Sequence, residues 1–189
     1  MNQPDLFSAP PVSLIAGLTY EPEFLTSAQE RELLRVFATL PFQEARYKQY
    51  RARRRIVSYG GSYDYDSNEL LPAAPIPEFL HPLRERIAQW IKRAPEELEH
   101  ALIAEYQPGT PLGWHRDVPD FETVVGVSVL STARMRFRPY REELRSKALS
   151  LDLAPRSIYQ LAGPARWDWQ HSVAPTPALR YSITFRTRR

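Results

Sequence analysis

Hydrophobic positions along the chain change period near residue 101. Before it, Leu33, Leu34, Phe37 and Leu40 recur at helical spacing until Pro41 stops them. Ser27, followed three residues later by Glu30, reads as a capping box at the start of that helix. A second helix is expected from Glu78 to Arg93, with Leu80, Leu83, Ile87, Trp90 and Ile91 on its apolar face. Beyond residue 101 the period shortens. Ala101–Tyr106, Val124–Leu130, Met135–Phe137, Ser157–Leu161 and Tyr181–Arg186 read as short strands. Pro108-Gly109, Pro119-Asp120, Pro139 and Gly163-Pro164 are the turns between them. Two helices followed by many short strands predict an α+β chain that is mainly β: an antiparallel sandwich or barrel with the helices packed outside. Residues 1–13 are polar and carry Pro4, Pro10 and Pro11, and read as a flexible arm; 14–189 reads as a single domain without internal repeats.

Composition narrows the chemistry. With 189 residues, 43% hydrophobic and 25% charged, the chain has the make-up of one globular domain with a sizeable core. Mean hydropathy is −0.46, and no apolar run approaches the ~20 residues of a membrane span. The opening MNQPDLFSAPPVSL lacks a basic segment followed by an apolar one, so a cytoplasmic setting is expected. Absence of cysteine excludes disulfides, thiolate metal sites and a Cys nucleophile. Eighteen prolines against seven glycines, spread along the chain, fit a loop-rich fold of short segments. The net charge of +3 permits nucleic-acid binding without requiring it.

Metal chemistry therefore falls to histidine and carboxylates. There are four histidines, of which His81 and His100 read as surface residues. His115 lies in Gly113-Trp114-His115-Arg116-Asp117. In extended backbone, residues two apart share a face, so His115 and Asp117 can reach one ion. His171 is the best third ligand, and two His with one carboxylate and open positions is the facial triad of non-heme Fe(II) oxygenases. Taken alone, His-x-Asp is a weak signal and reads first as a solvated turn. The C-terminal strand adds weight. Tyr181, Ile183 and Phe185 alternate with Arg180, Ser182, Thr184 and Arg186, giving either a solvated polar face or an anion pocket with two guanidiniums. Arg180 and Arg186 are about 20 Å apart on a straight strand and would converge on one dicarboxylate only by leaning inward.

The order His-x-Asp, His, then Arg-x5-Arg is more specific than its parts. With Leu102–Gly109, Gly113–Asp117, Trp169–Ser172 and Arg180–Arg186, the chain resembles the AlkB family of Fe(II)- and 2-oxoglutarate-dependent dioxygenases from about Arg53 onward. The resemblance implies a double-stranded β-helix, a jelly roll with two N-terminal supporting helices. It implies iron held by the catalytic triad His115, Asp117 and His171. It also implies 2-oxoglutarate paired to Arg180, with Arg186 and Thr184 in support and Tyr106 touching the co-substrate. The family usually has Asn at the positions of Ala104 and Ser182, so one or two neutral hydrogen bonds of ~1 kcal/mol each are lost or replaced here. The implied reaction is oxidative demethylation: 2-oxoglutarate is decarboxylated to succinate, an N-methyl carbon is hydroxylated, and formaldehyde leaves.

The expected substrate is alkylated DNA or RNA, preferably single-stranded, which would make the protein a repair enzyme. Residues 46–55 hold six basic residues and no acidic one, with Tyr47 and Tyr50 among them; they read as a phosphate-holding stretch or a solvated basic loop. Within and after it, Arg53, Arg54, Tyr63 and Tyr65 are the candidate substrate contacts, a tyrosine stacking on the extruded base. Many nucleic-acid demethylases of the family carry an acidic residue where this chain has Pro119, which leaves open the same chemistry on a protein or small molecule. A non-catalytic nucleic-acid-binding jelly roll is the remaining alternative. Trp114 and Trp169 flank the proposed ligands as walls or as core, and Arg136 and Arg138 share one strand face that could line a groove. Gln3-Pro4-Asp5-Leu6-Phe7 resembles the short peptides that dock on bacterial sliding clamps, a possible second partner.

Overall fold

The computed structural model describes residues 15–47, 50–64, 69–144 and 148–189. In chain order the elements are β1 (Leu18–Glu21), α1 (Ser27–Phe37), β2 (Gln43–Tyr47), β3 (Tyr50–Tyr59), β4 (Ser62–Asp64), β5 (Glu69–Leu71) and α2 (His81–Ile91). They continue as β6 (Leu98–Tyr106), β7 (Leu112–His115), β8 (Phe121–Val129), β9 (Ala133–Pro139), β10 (Leu149–Leu153), β11 (Ser157–Leu161), α3 (Gly163–Trp167), β12 (Trp169–Val173) and β13 (Arg180–Arg188). A seven-stranded antiparallel sheet runs β1-β11-β8-β13-β6-β3-β2, and a four-stranded one runs β10-β9-β12-β7. The two form the jelly roll that the motifs implied. β4 and β5 pair separately as a hairpin.

The strict alternation of β13 sorts two environments. Tyr181, Ile183 and Phe185 join Ile103, Val125 and Val127 in a core beneath Leu33 and Phe37 of α1 and Leu83 and Ile87 of α2. The helices therefore pack on the outer face of the large sheet, each fully buried side chain contributing about 1.5–3 kcal/mol. Between the sheets the filling is uneven. Leu18, Met135, Phe137, Leu153 and Leu161 pack one side, and the other side is a cavity.

Several local expectations are corrected. The capping box of α1 lies one residue earlier: Gln29 N donates to Thr26 Oγ1 at 3.2 Å, and Thr26 N donates to Gln29 Oε1 at 2.9 Å. Glu30 has other work; its carboxylate accepts Leu130 N at 2.8 Å, at a residue whose φ is +78°. That contact ties α1 to the β8–β9 turn. The second helix opens with a 3-10 turn over Glu78–Leu80 and ends at Ile91, capped by Lys92 in the left-handed conformation. Of residues 46–55, Arg46 and Tyr47 lie in β2 and 50–55 lie in β3, strands that pair and extend the large sheet, so these are not loop residues. The early strands were missed because their charged residues break any apolar alternation.

Candidate active site

β7 and β12 are neighbours in the small sheet, and their register sets His115 directly opposite His171. The two rings stand 4.2 Å apart. Asp117 follows just beyond β7, with its Oδ2 3.5 Å from His171 Nε2. One ligand atom from each of the three residues lies within 4.8 Å of the others, close enough to hold a single ion. The surroundings prepare each group. His115 Nδ1 donates to the Gly113 carbonyl at 2.9 Å, which leaves Nε2 as the free lone pair. Burial, reinforced by the neighbouring His115, lowers His171 to about 3, and burial lowers His115 as well. Both imidazoles are therefore neutral near pH 7, the form that binds a metal. Burial, the largest effect, would raise the Asp117 carboxyl, but the Arg186 guanidinium with His171, His115 and Arg166 together prevail and hold the group well below the ordinary carboxylate range.

Arg186 performs that task by contact. Its Nε and Nη2 both donate to Asp117 Oδ1, at 2.9 and 2.8 Å, which turns Oδ2 toward the histidines. Both Arg180 and Arg186 line the cavity, and Arg186 is paired with a carboxylate of the protein. Its third nitrogen meets His100 Nδ1 at 3.1 Å. His100 is accordingly not a surface residue. It is buried against Phe121, and burial lowers it to about 3.

Arg180 is different. It is 1% exposed, donates from Nε to Ser128 Oγ at 3.0 Å, and lies 5.0 Å from the Tyr106 ring centre. Its Nη1 is buried with no hydrogen-bond partner among the described residues. A buried cation is costly unless an anion joins it. The same cavity is lined by Tyr106, Ser182, Thr184, the three candidate ligands and Arg54. Among the described lining residues there are three guanidiniums and one carboxylate, and that carboxylate is bound to Arg186. The residues present therefore fit a divalent ion plus a carboxylate ligand. His115, Asp117 and His171 would hold the ion, and Arg180 would pair with the carboxylate.

Of the candidate substrate contacts, Arg54 lines the cavity, and its Nε is buried without a hydrogen-bond partner among the described residues. Arg53 is exposed and does not line it. Tyr63 lies in β4 opposite Leu70, and Tyr65 and Gln3–Phe7 lie outside the described residues. Trp114 does not line the cavity, nor do Arg138 and Arg136, which lie over its ring at 4.5 and 5.2 Å. Trp169 packs against the core between the sheets. Three contributors escaped the sequence reading. Arg166, 2% exposed, donates to the Val118 carbonyl at 2.7 Å and to the Phe121 carbonyl at 2.8 and 3.1 Å, strapping down the segment after Asp117. Glu105 receives Arg55 at 2.8 Å, Gln107 at 2.9 Å and Tyr181 at 3.1 Å, bracing the strand beside Tyr106. Tyr159 enters the cavity from β11. None has a motif signature; only the strand register brings them to the site.

A jelly roll whose inner face gathers His, Asp, His and an unpaired buried arginine defines an oxygenase-type metal site, and comparison with known proteins agrees. The family model of the 2OG-Fe(II) oxygenase superfamily matches residues 17–186. The chain belongs to that superfamily and is AlkB-like within it. It is 29% identical over 194 residues to an Arabidopsis thaliana protein named Alkylated DNA repair protein ALKBH8 homolog, covering 86% of this chain and 54% of that protein. The chain thus spans about half the length of that relative. It is 25% identical over 187 residues to the uncharacterized protein L905 of Acanthamoeba polyphaga mimivirus, covering 90% of this chain and 84% of the other. Among solved structures, OsALKBH1 matches with a TM-score of 0.72 at 17% identity, covering 91% of this chain and 97% of that one. A Trichoplax adhaerens prolyl hydroxylase, solved in complex with a peptide fragment of the hypoxia inducible factor oxygen degradation domain, matches with a TM-score of 0.64 at 15% identity, covering 91% and 83%. These structural likenesses concern the fold. No helix among the described residues is long and apolar enough to cross a membrane.

Proposed function

We propose that the protein oxidises N-alkyl groups on nucleic-acid bases, using Fe(II) and 2-oxoglutarate, and releases the alkyl carbon as an aldehyde. The observation that carries the reading is one cavity holding both the His115–Asp117–His171 cluster and the buried, partnerless Nη1 of Arg180. When bound, the metal and 2-oxoglutarate supply the oxidising chemistry. The protein's own residues do the rest. Arg186 aims Asp117, Gly113 fixes the His115 tautomer, and Arg180 anchors a carboxylate. Arg54 stands in the same cavity as a further cation.

The nucleic-acid part of the reading is supported by the name of the Arabidopsis relative and by the basic β2–β3 hairpin, which carries Arg53 on its exposed surface and Arg54 toward the cavity. Protein-side-chain oxidation is the second reading, favoured by the fold likeness to the prolyl hydroxylase and by Pro119 in place of an acidic residue. The test is formaldehyde release from single-stranded DNA and RNA oligonucleotides bearing N-methylated bases, set against unmodified strands and methylated peptides. Formaldehyde from the methylated strands alone supports the proposal. Formaldehyde from the peptides alone moves the activity to protein.

A further inference from the structure

His100 of β6 lies directly opposite Arg186 of β13, at the last position before that pairing shifts register. The two side chains meet: Arg186 Nη1 donates to His100 Nδ1 at 3.1 Å. A guanidinium has donors and no acceptor, so the contact fixes the tautomer. Nδ1 carries the lone pair, the proton sits on Nε2, and the ring is neutral. The ring N–H donates to the backbone of Gly61, in the turn between β3 and β4. That turn is seated tightly on β6. Gly60 has a φ of +76°, and a Cβ on it would lie 1.9 Å from the Glu99 carbonyl oxygen and 3.3 Å from His100 Cα. Glycine at 60 is what permits the approach. The Phe121 ring packs on both partners, 4.8 Å from the imidazole and 5.5 Å from the Arg186 guanidinium carbon.

The consequence lies at Asp117. Nε and Nη2 of Arg186 both donate to Asp117 Oδ1, so the plane of the guanidinium decides where that oxygen rests and hence where Oδ2 points. Two bonds converging on one oxygen leave the guanidinium free to tilt about it. A third bond, from Nη1 on the far side of the same plane, removes that freedom. The acceptor there must also be uncharged. A carboxylate at position 100 would compete with Asp117 for the arginine, whereas a neutral imidazole takes the third nitrogen and leaves the charge to Asp117. Burial of His100, which is 6% exposed, favours that neutral form.

We propose that His100 is a positioning residue for the metal site: its Nδ1 holds the plane of Arg186, and through Arg186 it sets the direction in which Asp117 presents Oδ2 beside His115 and His171. This rests on the metal reading of that cluster.

The test is anaerobic Co(II) titration of the full chain, followed by the visible absorption of the bound ion, for the parent, His100→Phe and His100→Asn. His100→Phe keeps a ring against Phe121 and removes the acceptor. His100→Asn keeps an acceptor oxygen near the place of Nδ1. His100→Phe should bind Co(II) about tenfold more weakly, as expected when a group behind a metal ligand is removed, and should shift the Co(II) spectrum. His100→Asn should recover most of the affinity and the parent's spectrum. Parent-like affinity and spectrum in His100→Phe overturn the proposal even if its melting temperature falls, because the role is then structural. Equal losses in both variants overturn it too, because the acceptor then makes no difference. Nitrogen NMR shifts of the metal-free parent give a check that needs no variant. Nδ1 of His100 should resonate as the bare nitrogen and Nε2 as the protonated one; the reverse overturns the proposal. If the parent itself binds no Co(II), the metal reading fails, and the proposal with it.

Discussion

Replacing Arg180 by methionine should separate stability from ligand binding. Arg180 is 1% exposed and, among the described residues, makes one side-chain hydrogen bond, to Ser128 at 3.0 Å, plus a contact with the Tyr106 ring at 5.0 Å. No carboxylate of the described residues reaches it. Burying a guanidinium costs several kcal/mol. A hydrogen bond of about 1 kcal/mol and a cation–π contact of about 2 kcal/mol offset only part of that. Methionine fills the same stem without the charge. The ligand-free variant should therefore be at least as stable as the parent, with a gain of up to about 4 kcal/mol. For a chain of this size that corresponds to roughly 2–4 °C in melting temperature per kcal/mol. Affinity for 2-oxoglutarate should fall about a hundredfold or more, because removing one partner of a buried charge pair costs about 2–5 kcal/mol. Thermal melts without ligand, and calorimetric titration with Mn(II) present, read the two effects. A melting temperature lowered by more than about 10 °C would show that the arginine is structural. Unchanged 2-oxoglutarate affinity would show that it is not the anchor.

Three further predictions follow from the ion pairs and straps around the site. Arg186→Gln leaves the buried Asp117 carboxylate without its two bonds, and should destabilise the metal-free protein by about 3–5 kcal/mol. Mn(II) should raise the melting temperature of that variant more than it raises the parent's; equal increments would contradict the pairing argument. Arg166→Met releases the carbonyls of Val118 and Phe121, and should cost about 2–4 kcal/mol in denaturant unfolding and weaken Mn(II) binding; unaltered metal affinity would remove Arg166 from the site's support. For Glu105, burial acts to raise the carboxyl, but hydrogen bonds from Gln107, Arg55 and Tyr181 prevail and leave it lowered. Its stabilising effect is therefore complete above the unfolded-state value of about 4.3, and is lost as pH falls through the lower folded value. Glu105→Gln should flatten that acid limb of stability against pH, and superimposable limbs for variant and parent would refute the assignment.

How much of this was legible in the sequence depended on locality. The strand Arg180–Arg188 announced both of its faces, because a period of two with apolar residues on one side admits little else. His115 and Asp117 were legible together because they lie two residues apart. His171 was legible only as the remaining candidate until the register set it opposite His115. Arg186 illustrates the limit. The alternation placed it on the inner face, but its partner Asp117 is 69 residues away, and nothing local distinguishes a carboxylate of the protein from one of a ligand. His100 was misread for a related reason. Its acidic flank, Glu96 to Glu99, suggested a surface, whereas β6 turns the residue inward beside Arg186. Tyr159 had no signal at all, since its entry into the cavity depends on Gly126 of another strand. The β2–β3 hairpin was hidden by its own charge: an edge of a sheet can be richly basic, and arginines such as Arg53 show no apolar period.

The central claim is that the His115–Asp117–His171 cluster and Arg180 form one oxygenase site that an alkylated nucleic-acid strand engages. Conversion of 2-oxoglutarate to succinate tests it most directly, measured with Fe(II) in air, with and without a single strand carrying an N-methylated base, for the parent and for His171→Ala. Succinate that increases with the methylated strand, and disappears in His171→Ala, is the predicted result. No succinate from the parent with iron demonstrably bound, or equal turnover by His171→Ala, would contradict it.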